Sequence, residues 1–143
     1  MLGLVDWQLL VLFIGLFVVN HAFQKTGLPA TAIESLRNTG IHIDQPAPLF
    51  VVTFLLSNIV SNVPAVMLLL PAATHDMAGP LLALASTFAG NLMIVGSIAN
   101  IIVVDAAGRR SLRIDWKQHA RIGVPVTLMT MLISGVWLIW RTA

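Results

Sequence analysis

The sequence predicts an all-α membrane protein, built of transmembrane helices of which at least one is unwound part-way. Three observations lead there. Of 143 residues, 57% are hydrophobic and 10% charged, with a mean hydropathy of +0.89. An ordinary soluble domain is about a quarter charged, so a soluble globule of this size and a disordered chain are both excluded. Four stretches lack Asp, Glu, Lys and Arg: Trp7–Gln24, Gln45–His75, Met77–Val104 and Ile122–Trp140. A membrane span needs about 20 apolar residues. The two middle stretches also carry Pro, Gly, Ser and Asn near their centres.

Composition excludes other classes. The net charge is +2, and the pI near 10.0 rests on few charges and on the lack of Cys and Tyr. No basic face with interleaved aromatics is present, so nucleic acid is not an expected partner; the lipid bilayer is. Without Cys there is no disulfide, thiolate metal site or cysteine nucleophile. No nucleophile–base pair, phosphate loop or metal cluster is visible, so an enzyme is not expected, nor a cofactor beyond a coupling sodium.

The first span is expected over about 6–24. It is expected to be a retained span rather than a cleaved signal: Asp6 is the one charged side chain before Leu9, and Val18-Val19-Asn20-His21-Ala22 is a poor cleavage site. A surface segment follows over 25–47. In it, Pro29–Asn38 can form a short helix opening on proline, with Ala32, Ile33 and Leu36 on one face and Glu34 and Arg37 on the other; an ordinary connecting loop is the alternative.

The stretch over about 48–74 contains Ser57, Asn58, Ser61 and Asn62, which pair at four-residue spacing on a helix face. Pro64 lacks a donor and disfavours helix at Val63, so the helix is expected to end near Asn62. Backbone groups freed in hydrocarbon cost several kcal/mol each. The four polar side chains can satisfy them or face a ligand. The next span, about 80–105, would be about 39 Å long as one helix, more than a bilayer needs. Gly90, Asn91, Gly96, Ser97 and Asn100 punctuate it, and a break between Gly90 and Gly96 leaves two half-helices.

The connection 106–121 holds Arg109, Arg110, Arg113, Lys117 and Arg121, which places it in the cytoplasm. The last span, about 122–140, then runs outward and leaves the C-terminus outside, with Trp137 and Trp140 at the outer interface and Trp116 at the inner one. Asp76, Asp105, His21 and His75 fall at segment ends. His42 and His119 lie in connections without metal-ligand spacing. Interrupted apolar segments point to a transporter site: half-helix N-termini suit anions, and unwound carbonyls suit Na⁺. Close helix packing is the alternative use of the same small and polar residues.

Ser61-Asn62-Val63, followed by Pro64 and an apolar run to Pro71, resembles the Ser-Asn-Thr hairpin tip of citrate transporter-like permeases of the ion transporter superfamily. Gly96-Ser97-Ile98-Ala99-Asn100 resembles their paired Gly-(Thr/Ser)-x-x-Asn break. The Ser-Asn-Val-Pro wording is closer to the arsenite permease-like branch, and the likeness runs from about Asp6 to Trp140. It implies two inverted repeats, each with a re-entrant hairpin and an unwound helix, of which this chain resembles the C-terminal one. Residues 48–74 would then be the hairpin, although the basic cluster is equally compatible with a single crossing.

The resemblance also implies that Ser61 and Asn62 bind at the tip and Gly96, Ser97 and Asn100 at the break, with sodium at Asn62 and Asn100. Val63 replaces the family's threonine and removes a hydroxyl, a departure from the dicarboxylate pattern. The implied partner is a matching N-terminal repeat, in the same longer chain or a separate subunit, in a plasma-membrane homo-oligomer. The expected function is secondary transport of a small anion coupled to sodium or protons. A sodium/proton antiporter of the same superfamily, and a non-transporting remnant or membrane assembly subunit, are the alternatives. No ionisable Asp, Glu, Lys or Arg lies mid-stretch to relay protons.

Overall fold

The computed structural model describes residues 7–142, and these contain helices, turns and no strand. Asp6 and Ala143 lie outside the described residues. The helices are α1 (Trp7–Lys25), α2 (Leu28–Asn38), α3 (Pro46–Val60), α4 (Asn62–Leu69), α5 (Ala78–Ala89), α6 (Ile98–Arg109) and α7 (Trp116–Thr142). Short 3-10 turns occupy Leu70–Ala72 and Ile94–Gly96. The chain divides into two compact units, Met1–Gly40 and Ile41–Ala143.

In the first unit α1 exposes Val11, Leu12, Ile14, Val18 and Val19. It ends where the Thr26 hydroxyl donates to the Phe23 carbonyl at 2.7 Å. Gly27, at φ +74°, turns the chain into α2. The two helices, Leu10–Lys25 and Leu28–Asn38, are together apolar enough for one crossing and meet at a bend of 62°. Along α2, Pro29, Ile33 and Leu36 are half-buried and the other residues exposed, a single apolar stripe.

The second unit is organised on α5. Its buried residues Ala78, Leu81, Leu82, Ala85, Ser86 and Ala89 recur at helical spacing, and the helix touches α3, α4 and α7. The facing rows mix small residues with a few leucines: Leu49, Thr53 and Ser57 on α3, Pro64, Ala65 and Leu69 on α4, and Gly123, Thr127, Ser134 and Leu138 on α7. Small side chains let helix backbones approach in a medium that gives no hydrophobic push between helices. The large ones point away, Ile133 being 66% and Val136 60% exposed. So much apolar surface in water would be an aggregation site; hydrocarbon is the solvent it fits.

By length and composition, α7 is the one helix able to cross alone among the described residues (Trp116–Arg141, mean hydropathy 2.0). With 15 residues in α3 and 12 in each of α5 and α6, these helices are about 22 and 18 Å long, short of the roughly 30 Å of hydrocarbon.

Within the expected connection 106–121 the chain is helical at both ends, and the irregular part is 110–115. α7 starts six residues before 122 because Asp115 caps it. The Gln118 N–H donates to Asp115 Oδ1 at 2.7 Å, and the Asp115 N–H donates back to Gln118 Oε1 at 3.4 Å. This is a reciprocal capping box. At the other end Arg109, last residue of α6, pairs with Asp105 one turn back at 2.9 Å.

Candidate functional site

The first chain break follows from Pro64. It has no N–H for the carbonyl of Val60, and its ring crowds that carbonyl, so α3 stops at Val60. Ser61 takes up the change of direction at φ 74°, ψ 159°, a conformation natural only to glycine that costs of order 1–3 kcal/mol elsewhere. The Ala65 N–H then donates to the Ser61 carbonyl at 3.1 Å and starts α4. Serine is a favoured capping residue, yet the Ser61 side chain does not cap α4. Its hydroxyl donates to Asn62 Oδ1 at 3.3 Å, which also accepts the Val63 N–H at 3.0 Å.

The second break separates α5 from α6 over residues 90–97. Its freed carbonyls are taken up by a side chain: Asn100 Nδ2 donates to the Gly90 carbonyl at 2.6 Å and to that of Met93 at 3.2 Å. Gly90, Gly96 and Ser97 are buried. A Cβ on Gly90 would lie 3.0 Å from that of Ser97. Ser97, extended at φ −141°, stands before α6 and also makes no side-chain cap.

The second break comes against α3 at Asn58, three residues before the first. A Cβ on Gly96 would lie 3.1 Å from Asn58 Oδ1, tight enough that the Asn58 amide would have to give by a few tenths of an ångström. Asn58 Nδ2 donates to the Phe54 carbonyl of its own helix at 2.9 Å. Its Oδ1 is buried with no hydrogen-bond partner, as is the hydroxyl oxygen of Ser57, which is fully buried. Buried polar atoms without partners are rare and costly; two on adjacent residues mark this place.

Of the sequence-chosen residues, Asn58, Gly90, Gly96, Ser97 and Asn100 thus cluster, and Ser57 lies beside them on the buried row of α3. Ser61 and Asn62 bond to each other and to Val63. Asn91 faces elsewhere: its carbonyl accepts from His119 Nε2 at 3.1 Å. On that same oxygen a Cβ at Gly123 would collide. His119 and Gly123 were not singled out from sequence. The signal was there in the Asp115–Gln118 capping pair, which makes residue 119 helical and puts it one turn before the small row Gly123, Thr127.

Comparison with known proteins agrees in kind. The family model described as citrate transporter matches residues 1–89. The silicon efflux transporter LSI3 of Oryza sativa subsp. japonica is 39% identical over 91% of this chain and 30% of its own length. The putative transporter arsB of Dictyostelium discoideum is 36% identical over 91% of this chain and 24% of its own. An uncharacterized transporter of Mycobacterium tuberculosis is 30% identical over 96% and 35%. The chain therefore spans about a quarter to a third of the length of these curated relatives. No solved structure matches it. These names are those of transporters rather than enzymes, and the chain belongs to the citrate transporter family.

Proposed function

We propose that the chain is the C-terminal repeat of a longer secondary transporter that moves a small anion with Na⁺ as coupling ion. A matching repeat outside this chain would complete the site. The carrying observation is that the second break comes against α3 at Asn58, three residues before the first, and that each break is followed by a helix whose leading serine does not cap it. Uncapped helix starts present N–H groups and a positive dipole end, which suit an anion. The partnerless oxygens of Ser57 and Asn58 are hard acceptors of the kind Na⁺ takes in place of water. Asn62 Oδ1 already accepts two donors, so Asn58 is the stronger sodium ligand, with the free Oδ1 of Asn100 beside the same break.

The apolar stretches 45–74 and 77–104 contain no ionisable side chain, which favours sodium over protons, since proton carriers hold such groups at depth. The shortness of α3 and α4 supports a hairpin that enters and leaves on one face, with Ser61 at its tip. The silicon named for the rice relative supports a small inorganic solute over a large one.

The test uses the full-length transporter in proteoliposomes, with uptake of radioactive sodium as the readout. Asn58→Ala and Asn62→Ala each abolish uptake while membrane insertion stays normal. Undiminished uptake in both removes the site.

A further inference from the structure

We infer that His119 and Gly123 of α7 are positioning residues, forming a two-point seat that holds the unwound segment 90–97 in its open shape. The capping box at Asp115 and Gln118 extends α7 far enough to bring His119 and Gly123 onto one face, four residues apart. Both then engage a single atom, the carbonyl oxygen of Asn91. His119 Nε2 donates to it at 3.1 Å, and a carbonyl only accepts, so Nε2 carries the proton. Gly123 is buried against the same oxygen and leaves no room for a Cβ.

The neighbouring carbonyls of Gly90 and Met93 are held from the other side by Asn100. The break is therefore gripped from α6 through one side chain and from α7 through another. A shift of α7 along its axis must move the Asn91 carbonyl, and with it the segment that carries Gly96 to Asn58. The effect on transport rests on the function proposed above; the grip itself does not.

This chain contains no cysteine, so once any cysteines elsewhere in the full-length transporter are replaced by serine, Val95→Cys places one thiol in the break for a nitroxide label, Val95 being 66% exposed. In the full-length transporter, mobility of that label reports the seat directly. His119→Ala raises the mobile fraction about three- to tenfold, the effect of one hydrogen bond on a local opening equilibrium. His119→Gln, whose amide can donate over a similar reach, restores the parent spectrum. Gly123→Ala raises mobility with His119 intact. A label on Ile133→Cys, on the outward face of α7, is unchanged throughout. Equal mobility in parent and His119→Ala overturns the inference, as does a His119→Gln spectrum like that of His119→Ala. In sodium uptake, His119→Ala raises KM and leaves a measurable maximal rate. A parent without sodium uptake would defeat the proposed function while leaving the label result to decide the seat.

Discussion

Replacing Asn100 by alanine removes the one side chain that holds the second break from within. Its amide nitrogen donates to Gly90 O at 2.6 Å and to Met93 O at 3.2 Å. Met93 O keeps a partner, the Gly96 N–H at 3.1 Å, so losing that bond costs about 0.5–1.5 kcal/mol. Gly90 O keeps none among the described residues and lies in a buried residue. Orphaning it costs about 1–3 kcal/mol. The sum, about 1.5–4.5 kcal/mol, is an upper range, because water entering the break satisfies part of it.

Each 1.4 kcal/mol is a factor of ten in the opening equilibrium. Amide hydrogen exchange at Asn91, Leu92 and Gly96, whose N–H groups donate to the carbonyls of Phe88, Ala89 and Met93, should quicken in Asn100→Ala, by about tenfold at the low end of that range. Exchange at Leu81 and Leu82, in the buried centre of α5, should not change. Asn100→Asp keeps the shape but loses the donor, and should exchange as Asn100→Ala does. Unaltered exchange across 91–96 in both variants would mean that the break is held by something other than Asn100.

Further outcomes follow from the same contacts. Gly96→Ala drives a methyl against Asn58 Oδ1, 3.1 Å from where that methyl must sit; overpacking of this kind costs about 1–3 kcal/mol, seen as a lower melting temperature together with weaker sodium binding. Ser61→Gly relieves the strained φ of 74° and should raise thermal stability by about 1 kcal/mol, whereas Ser61→Val lowers it. Cysteines placed at Pro48 and at His75 should react with an impermeant maleimide from the same side of the membrane; labelling from opposite faces would mean that 48–74 crosses once.

Composition made the helical membrane class readable, because a chain with this few charges has one solvent that suits it. Local chemistry also carried the positions where helix gives way: Pro64 cannot bond to Val60, and Gly90 and Gly96 lie at the ends of the segment that unwinds. Period and hydropathy say nothing about partners distant in sequence. The approach of Asn58 to Gly96 and the bond from His119 to Asn91, 28 residues apart, depend on how α3 and α7 lie against α5. The early start of α7 was legible in Asp115 and Gln118 but is masked when charge-free length alone is counted. The glycine-like backbone of Ser61 has no signature at Ser61 itself; its cause lies three residues on, at Pro64.

On the function proposed above, Asn58 and the second break beside it at Gly96 hold a solute together. Thermal unfolding of the full-length transporter in Na⁺ and in K⁺ tests it most directly, because a bound ion stabilises only the folded state that holds it. Na⁺ should raise the melting temperature of the parent above its value in K⁺, and Asn58→Ala, which breaks no bond between helices, should abolish the difference without lowering the K⁺ value appreciably. An Asn58→Ala variant that keeps the full sodium shift would contradict it.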